Sequence, residues 1–241
     1  MKSPGLFKLV LFILSGLGLQ AKIPETKREV KHKVDFSLDI YSKHLWRGFV
    51  NGTSLSIQPT VEYSYGNFST GVWAAASIDG SYHELDLFAG LQLGNFKTTL
   101  YDYFCPVKPL HSNEFFEIKE GKTKHTFDLN VEYADRSKHP FALLAATMIY
   151  GDDLNPDNGR NYYSTYIEPS YNLDLGKTAI QAFTGFTPVK SYYAGSAAIV
   201  NTGITVSRKF IITETYTIGS KIKFAYNPVK KHGWFSIGIN L

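Results

Sequence analysis

From Val34 to the last residue the chain alternates apolar and polar positions, in runs of about nine to eleven residues separated by turn signals. In the first run Val34, Phe36, Leu38 and Ile40 fall on one face, and Asp35, Ser37, Asp39 and Tyr41 on the other. A period of two puts successive side chains on opposite faces of a strand, so each strand has one apolar and one polar face. A second strand is expected over about 55–63, with Leu55, Ile57, Val61 and Tyr63 opposite Ser56, Gln58, Thr60 and Glu62. The clearest alternation runs from Tyr82 to Leu93, where Leu85, Leu87, Ala89, Leu91 and Leu93 oppose Glu84, Asp86, Phe88, Gly90 and Gln92. Gly66-Asn67, Asp79-Gly80, Gly94-Asn95 and Gly176-Lys177 supply turns between runs.

Further strands are expected near 68–77, 96–104, 125–133, 141–150, 163–173, 179–186 and 199–207, and a terminal hairpin over 214–241 brings the number to twelve. Phe141 to Tyr150 is apolar on both faces and carries Ala142, Ala145 and Ala146, a pattern shared by buried helices and buried strands; its neighbours favour a strand. The turns near 66, 94, 135–139, 176 and 208–212 are short, and those near 42–54, 105–122, 151–161 and 187–197 are longer, with two brief ones at 78–81 and 228–232 on the longer side. An even-stranded meander places the two kinds at opposite ends, with both termini at the short-turn end. In the last run Phe235, Ile237, Ile239 and Leu241 share the apolar face. Pairing this run with Val34 to Tyr41 would close the sheet and remove both edges, and a chain that stops inside its last strand is expected of such a closure. The fold class is therefore all-β, an up-and-down antiparallel barrel of twelve strands.

Alternation alone does not say which face looks inward. A soluble barrel turns Leu, Ile and Phe in, and a transmembrane one turns them out. The amino terminus tips the choice: Lys2 and Lys8 precede the apolar run Leu9 to Leu14, and Leu19-Gln20-Ala21 offers a cleavage site. Residues 1–21 thus read as a secretory signal, 22–33 as a short basic, polar lead-in on the periplasmic side and 34–241 as one barrel, with no Pro/Gly/Ser-rich linker dividing it. In an exported barrel the 16 Tyr, 17 Phe and 3 Trp have places in the apolar belt and at its interfaces. Together these features predict a transmembrane barrel of the bacterial outer membrane, with lipid and the barrel assembly machinery as partners. A single Cys105 excludes an intrachain disulfide framework. The net charge of +4 does not gather into a basic stripe interleaved with aromatics, which argues against nucleic acid.

With the apolar face toward lipid, the interior receives Asp35, Asp39, Gln58, Glu62, Glu84, Asp86, Lys97, Asp128, Asn130, Glu132, Glu168, Lys221 and Lys223. The opposite orientation would put these charges in hydrocarbon, at roughly 2–4 kcal/mol for each Lys or Arg near mid-membrane. Such an interior either lines a water-filled passage or pairs across the lumen and plugs it, and the sequence leaves both open. Trp46 and Arg47, in the first long loop, are candidate rim residues. The indole would sit at the lipid interface, and the guanidinium would reach lipid phosphate or a carboxylate inside the mouth. Gly48 and Asn51-Gly52 shape the same loop.

The motif Tyr41-Ser42-Lys43-His44-Leu45-Trp46-Arg47-Gly48 resembles the serine-x-x-x-tryptophan-arginine-glycine signature near the start of the TorF-like porin family. The resemblance continues at Gln58-Pro59, at Asn201-Thr202-Gly203-Ile204-Thr205-Val206-Ser207 and at Ala225-Tyr226-Asn227-Pro228, and so spans nearly the whole chain after the signal. It implies an outer-membrane barrel passing small hydrophilic solutes. Leu241 departs from the phenylalanine on which such barrels more often end. A plugged structural or adhesive barrel is the alternative.

Catalysis and cofactors find little support. Outer-membrane phospholipases are also twelve-stranded, but they need a histidine base beside a serine on the outer wall. His125 has the position, yet Thr126 and Phe127 follow it without a serine. Asp153, Asn155 and Asp157 open like a calcium loop, but Gly159 comes one position late and no glutamate occupies the twelfth position, so 151–161 reads as a polar external loop. No cofactor or metal is expected.

Overall fold

The computed structural model describes residues 31–106, 114–135 and 137–241; the expected signal and residues 22–30 of the lead-in lie outside them. Alternating runs become strands wherever turn residues bracket them. Phe68–Ser77 and Phe96–Phe104 lie between paired turns and form over the expected residues. In chain order the strands are β1 (His32–Tyr41), β2 (His44–Trp46), β3 (Phe49–Asn51), β4 (Ser56–Tyr65), β5 (Phe68–Ser77), β6 (His83–Leu93) and β7 (Phe96–Phe104). They continue as β8 (His125–Ala134), β9 (Phe141–Gly151), β10 (Thr165–Leu175), β11 (Thr178–Thr187), β12 (Ala198–Ile211), β13 (Thr217–Asn227) and β14 (His232–Asn240). Twelve of these close into an antiparallel up-and-down barrel, in which each wall strand pairs with its neighbours in the chain and β1 with β14. β2 and β3 form a separate two-stranded hairpin.

Three details depart from the expected layout. β1 begins at His32, so the last two lead-in residues belong to the wall. β12 does not stop at Ser207; its ladder with β13 continues from Arg208↔Ser220 to Ile211↔Thr217 and moves the turn to 212–216. Arg208 and Lys209 read as turn residues in the sequence, but both are exposed at the short-turn end, where charge on a strand carries little desolvation cost. The hairpin of β2 and β3 was hidden inside the first long loop.

The faces divide as alternation requires. Val61, Leu87, Leu100, Leu129, Ile222 and Ile237 stand exposed on the outside. Gln58, Asp86, Thr99, Asp128, Asn130 and Ser236 are buried within. The long-loop end carries the connections at 42–55, 78–82, 105–124, 152–164, 188–197 and 228–231; the opposite end carries the short turns and both ends of the wall.

Closure is the shortest ladder of the wall. Asp39, Ile40 and Tyr41 pair with Asn240, Ile239 and Gly238, and Leu38 and Leu241 exchange backbone hydrogen bonds of 3.1 and 2.9 Å. The Tyr41 ring lies directly over Gly238, in the space a Cβ would occupy. Gly238→Val should therefore displace Tyr41 and weaken the seam by roughly 1–3 kcal/mol. A lowered urea midpoint of the folded barrel would show it, and an unchanged midpoint would mean that the ring moves aside freely.

Candidate functional site

The chain leaves the wall after Tyr41 and turns into the lumen. Its departure is held by β14: Ser42 N donates to Ile237 O (2.8 Å), Ile237 N donates to Ser42 Oγ (3.0 Å) and Ser236 Oγ donates to Lys43 O (2.7 Å). His44↔Asn51, Leu45↔Val50 and Trp46↔Phe49 then pair around the two-residue turn Arg47-Gly48. Both turn residues have positive φ, 44° and 84°, as a type I′ hairpin turn demands. A Cβ at Gly48 would strike the carbonyl of Val200, and the Gly48 carbonyl accepts a bond from the buried Asn227 amide at 3.0 Å.

Arg47 tolerates its backbone conformation because its side chain is held on every side. Nη1 lies 2.7 Å from Asp128 Oδ2 and donates to Tyr193 OH at 2.7 Å, while Nη2 donates to Asn130 Oδ1 at 2.9 Å. The guanidinium faces the rings of Trp46 and Tyr166 at 4.9 and 5.2 Å. β8 supplies Asp128 and Asn130 from one inward face, two residues apart. Tyr193 comes from the 188–197 loop, which bends back inward with Thr187 and Ser191 hydroxyls 2.8 Å apart. Burying an ion pair is costly unless hydrogen bonds complete it, and a planar five-donor guanidinium suits a carboxylate, an amide and a phenol at once. Trp46 and Arg47 are thus lumen residues, and the expectation that they sit at the rim is corrected. Arg47 does reach a carboxylate, but one in the barrel interior.

Trp46 and Phe49 flank the turn and pack against a cluster of Ala146, Met148, Tyr166, Tyr193 and Val200. This explains why Phe141–Gly151 is apolar on both faces. Its outer residues face the surroundings, and its inner ones hold the hairpin.

The inward charges fall into two groups. Among the described residues, the hairpin makes the interior ion pair of Arg47 with Asp128, and its His44 Nε2 lies 3.7 Å from Glu84 Oε2. Lys221 and Lys223 instead lie over the Tyr41 and Phe183 rings at 5.4 and 5.0 Å. Lys97 stands in register with Glu132 without forming an ion pair. Two cavities receive these groups. The larger, about 920 Å³, is lined by Asp39, Gln58, Lys221 and Lys223 and reaches the short-turn end at Ser137 to Pro140. The smaller, about 510 Å³, is lined by Glu62, Glu84, Asp86, Lys97, Asn130, Glu132 and Glu168, and shares His44, Leu45 and Lys223 with the first. Among the described residues, the long-loop residues that line the two cavities are Lys43 to Arg47, the stretch that leads into the hairpin and forms its first strand and turn. The hairpin therefore caps the lumen toward the long loops.

Two of the residues expected to line the lumen line neither cavity. Asp128 is fully buried behind Arg47. Asp35 is half exposed on the part of β1 that overhangs the seam, 2.8 Å from Lys33 Nζ. Gln58 Nε2 contacts His44 Nδ1 at 2.9 Å and so helps seat the hairpin.

His125 lies on the outer face of β8. Its ring nitrogens contact Asp102 Oδ1 and Phe115 O, each at 2.7 Å, and Phe104 and Phe115 cover it. Among the described residues, no serine hydroxyl reaches either ring nitrogen. In the 152–164 loop the acidic residues turn to separate partners. Asp153 accepts bonds from Ser164 N (2.8 Å) and Oγ (2.6 Å), and Asp157 pairs with Lys190 at 2.5 Å. Burial pushes the Asp153 carboxyl above its ordinary range, and the two Ser164 donors pull against that shift. Among the described residues, no three His, Cys, Asp or Glu side chains gather as a metal site.

Comparison with protein-family models and with curated proteins returns no match for this chain.

Proposed function

We propose that this protein is a narrow channel of the bacterial outer membrane, of the TorF-like porin type, that passes small hydrophilic solutes and is capped in this conformation by its first long loop. The observation that carries the reading is the state of the interior charges: Lys97, Lys221, Lys223, Glu62 and Glu132 face the two cavities without ion-pair partners among the described residues. Unpaired charge needs water, so the lumen suits ions and polar solutes rather than a dry filling. The exposed apolar outer face matches lipid, with the long loops external and the short turns periplasmic. Outer-membrane lipid and the assembly machinery are the corresponding partners.

A plugged structural barrel is the second reading, and the Arg47–Asp128 closure favours it. Planar-bilayer recordings distinguish the two when the natural chain is compared with one whose residues 43–53 are replaced by a short Gly-Ser connection. Stepwise conductance, larger without the hairpin, supports the capped channel. Silence from both proteins, each correctly folded, supports the plug.

A further inference from the structure

We propose that the smaller lumen cavity is a binding site for an organic cation carrying a primary ammonium or guanidinium group. Its role in passage rests on the channel reading, but the binding itself rests on the cavity alone.

Charge gives the first argument. Glu62, Glu84, Asp86, Glu132 and Glu168 line this space against the cations Arg47, Lys97 and Lys223, and Arg47 is already held by Asp128. Acidic groups alone would mark no site, but two buried acceptors here have empty positions. Asp86 is 5% exposed, and its Oδ1 has no hydrogen-bond partner among the described residues. Asn201 is 1% exposed; its amide donates to Tyr166 OH (2.9 Å) and Glu168 Oε2 (3.1 Å), while its Oδ1 also lacks a partner. Both side chains line the cavity. A buried acceptor without a donor is costly, and a ligand rich in N–H groups removes that cost.

The aromatic wall gives the second, independent argument. Phe88 and Tyr101 lie 6.0 Å apart, Tyr101 and Tyr103 stack at 5.5 Å, and Tyr103 meets Trp46 edge-on at 5.9 Å. Trp73 extends the lining. Ring faces attract cations, most strongly where water is excluded. Carboxylates and ring faces therefore act together on a cation, and the carboxylates repel an anion. The protein supplies a precedent in Arg47, whose guanidinium is held at the edge of this cavity by a carboxylate, an amide oxygen and two aromatic rings.

The test uses the mature chain folded in detergent with Trp234→Phe, which leaves Trp46 and Trp73, both lining the cavity, as its tryptophans. Titration with butylammonium chloride should give a saturable fluorescence change, and sodium butyrate should give none. Asp86→Asn should weaken binding about tenfold, the scale of one hydrogen bond to a charged group. If Asp86→Asn does not fold, Glu132→Gln, at a more exposed position of the same wall, is expected to weaken binding in the same direction. An equal response to potassium chloride would reduce the site to counterion attraction, and an equal response to glucose would make it a polyol site; either overturns the proposal. So does the absence of response in folded protein. Binding without any conductance in bilayers would leave the site standing and remove the channel.

Discussion

Replacing Arg47 with alanine should raise the conductance of the reconstituted barrel several-fold and lower its stability by roughly 3–5 kcal/mol, the usual cost of removing one partner from a buried ion pair. The cost is large because of what remains. Asp128 is fully buried, and its second oxygen has no partner among the described residues, so Arg47 carries most of its compensation. Asn130 and Tyr193 lose donors at the same time. The twelve wall ladders do not use Arg47, so the barrel should still close while the hairpin opens more readily. Arg47→Lys should behave in the same direction, since one ammonium cannot reproduce the planar fork. Adding Asp128→Asn to Arg47→Ala should restore part of the stability while leaving the conductance high, because it removes the stranded charge without rebuilding the anchor. Unchanged conductance and an unchanged urea midpoint in Arg47→Ala would mean that Trp46 and Phe49 hold the cap by packing alone.

The wall was legible because period-two alternation and turn chemistry both report on backbone geometry. Gly66-Asn67 and Gly94-Asn95 bracket β5, β6 and β7 so closely that little freedom of boundary remained. The cap was not legible, because a loop joining two alternating strands carries no signal of whether it folds inward or away. Asn51-Gly52 looked like the turn of that loop, whereas the hairpin reverses at Arg47-Gly48. One hint was present. Ala142, Leu144, Ala146 and Met148 give β9 an apolar inner face, and an apolar patch inside a polar lumen needs a partner from within. The three-residue segments His44-Leu45-Trp46 and Phe49-Val50-Asn51 supply it. Pairing among the interior charges was out of reach, since distances across a barrel depend on strand tilt and stagger. The sequence therefore named most of the charged residues lining the cavities but not their separation.

Leu100→Arg tests the surroundings of the barrel, and its two outcomes lie far apart. Leu100 is 39% exposed at the middle of β7, in register with Ala89 on β6 and Leu129 on β8. No acidic side chain occupies either register position, so the new arginine would find no ready cross-strand partner there. In water an arginine at an exposed outer position should change stability by no more than about 0.5 kcal/mol. In a bilayer the same arginine near the midplane should cost about 2–4 kcal/mol. Urea titration of the protein folded into lipid vesicles measures the difference directly, and Lys97→Gln, an inward change on the same strand, controls for effects on β7 itself. A loss of the larger size for Leu100→Arg with little effect from Lys97→Gln places lipid against the outer wall. Near-neutral behaviour of Leu100→Arg in vesicles would mean that this face does not meet hydrocarbon, and the outer-membrane reading would then fall while the barrel and its Arg47 cap remained.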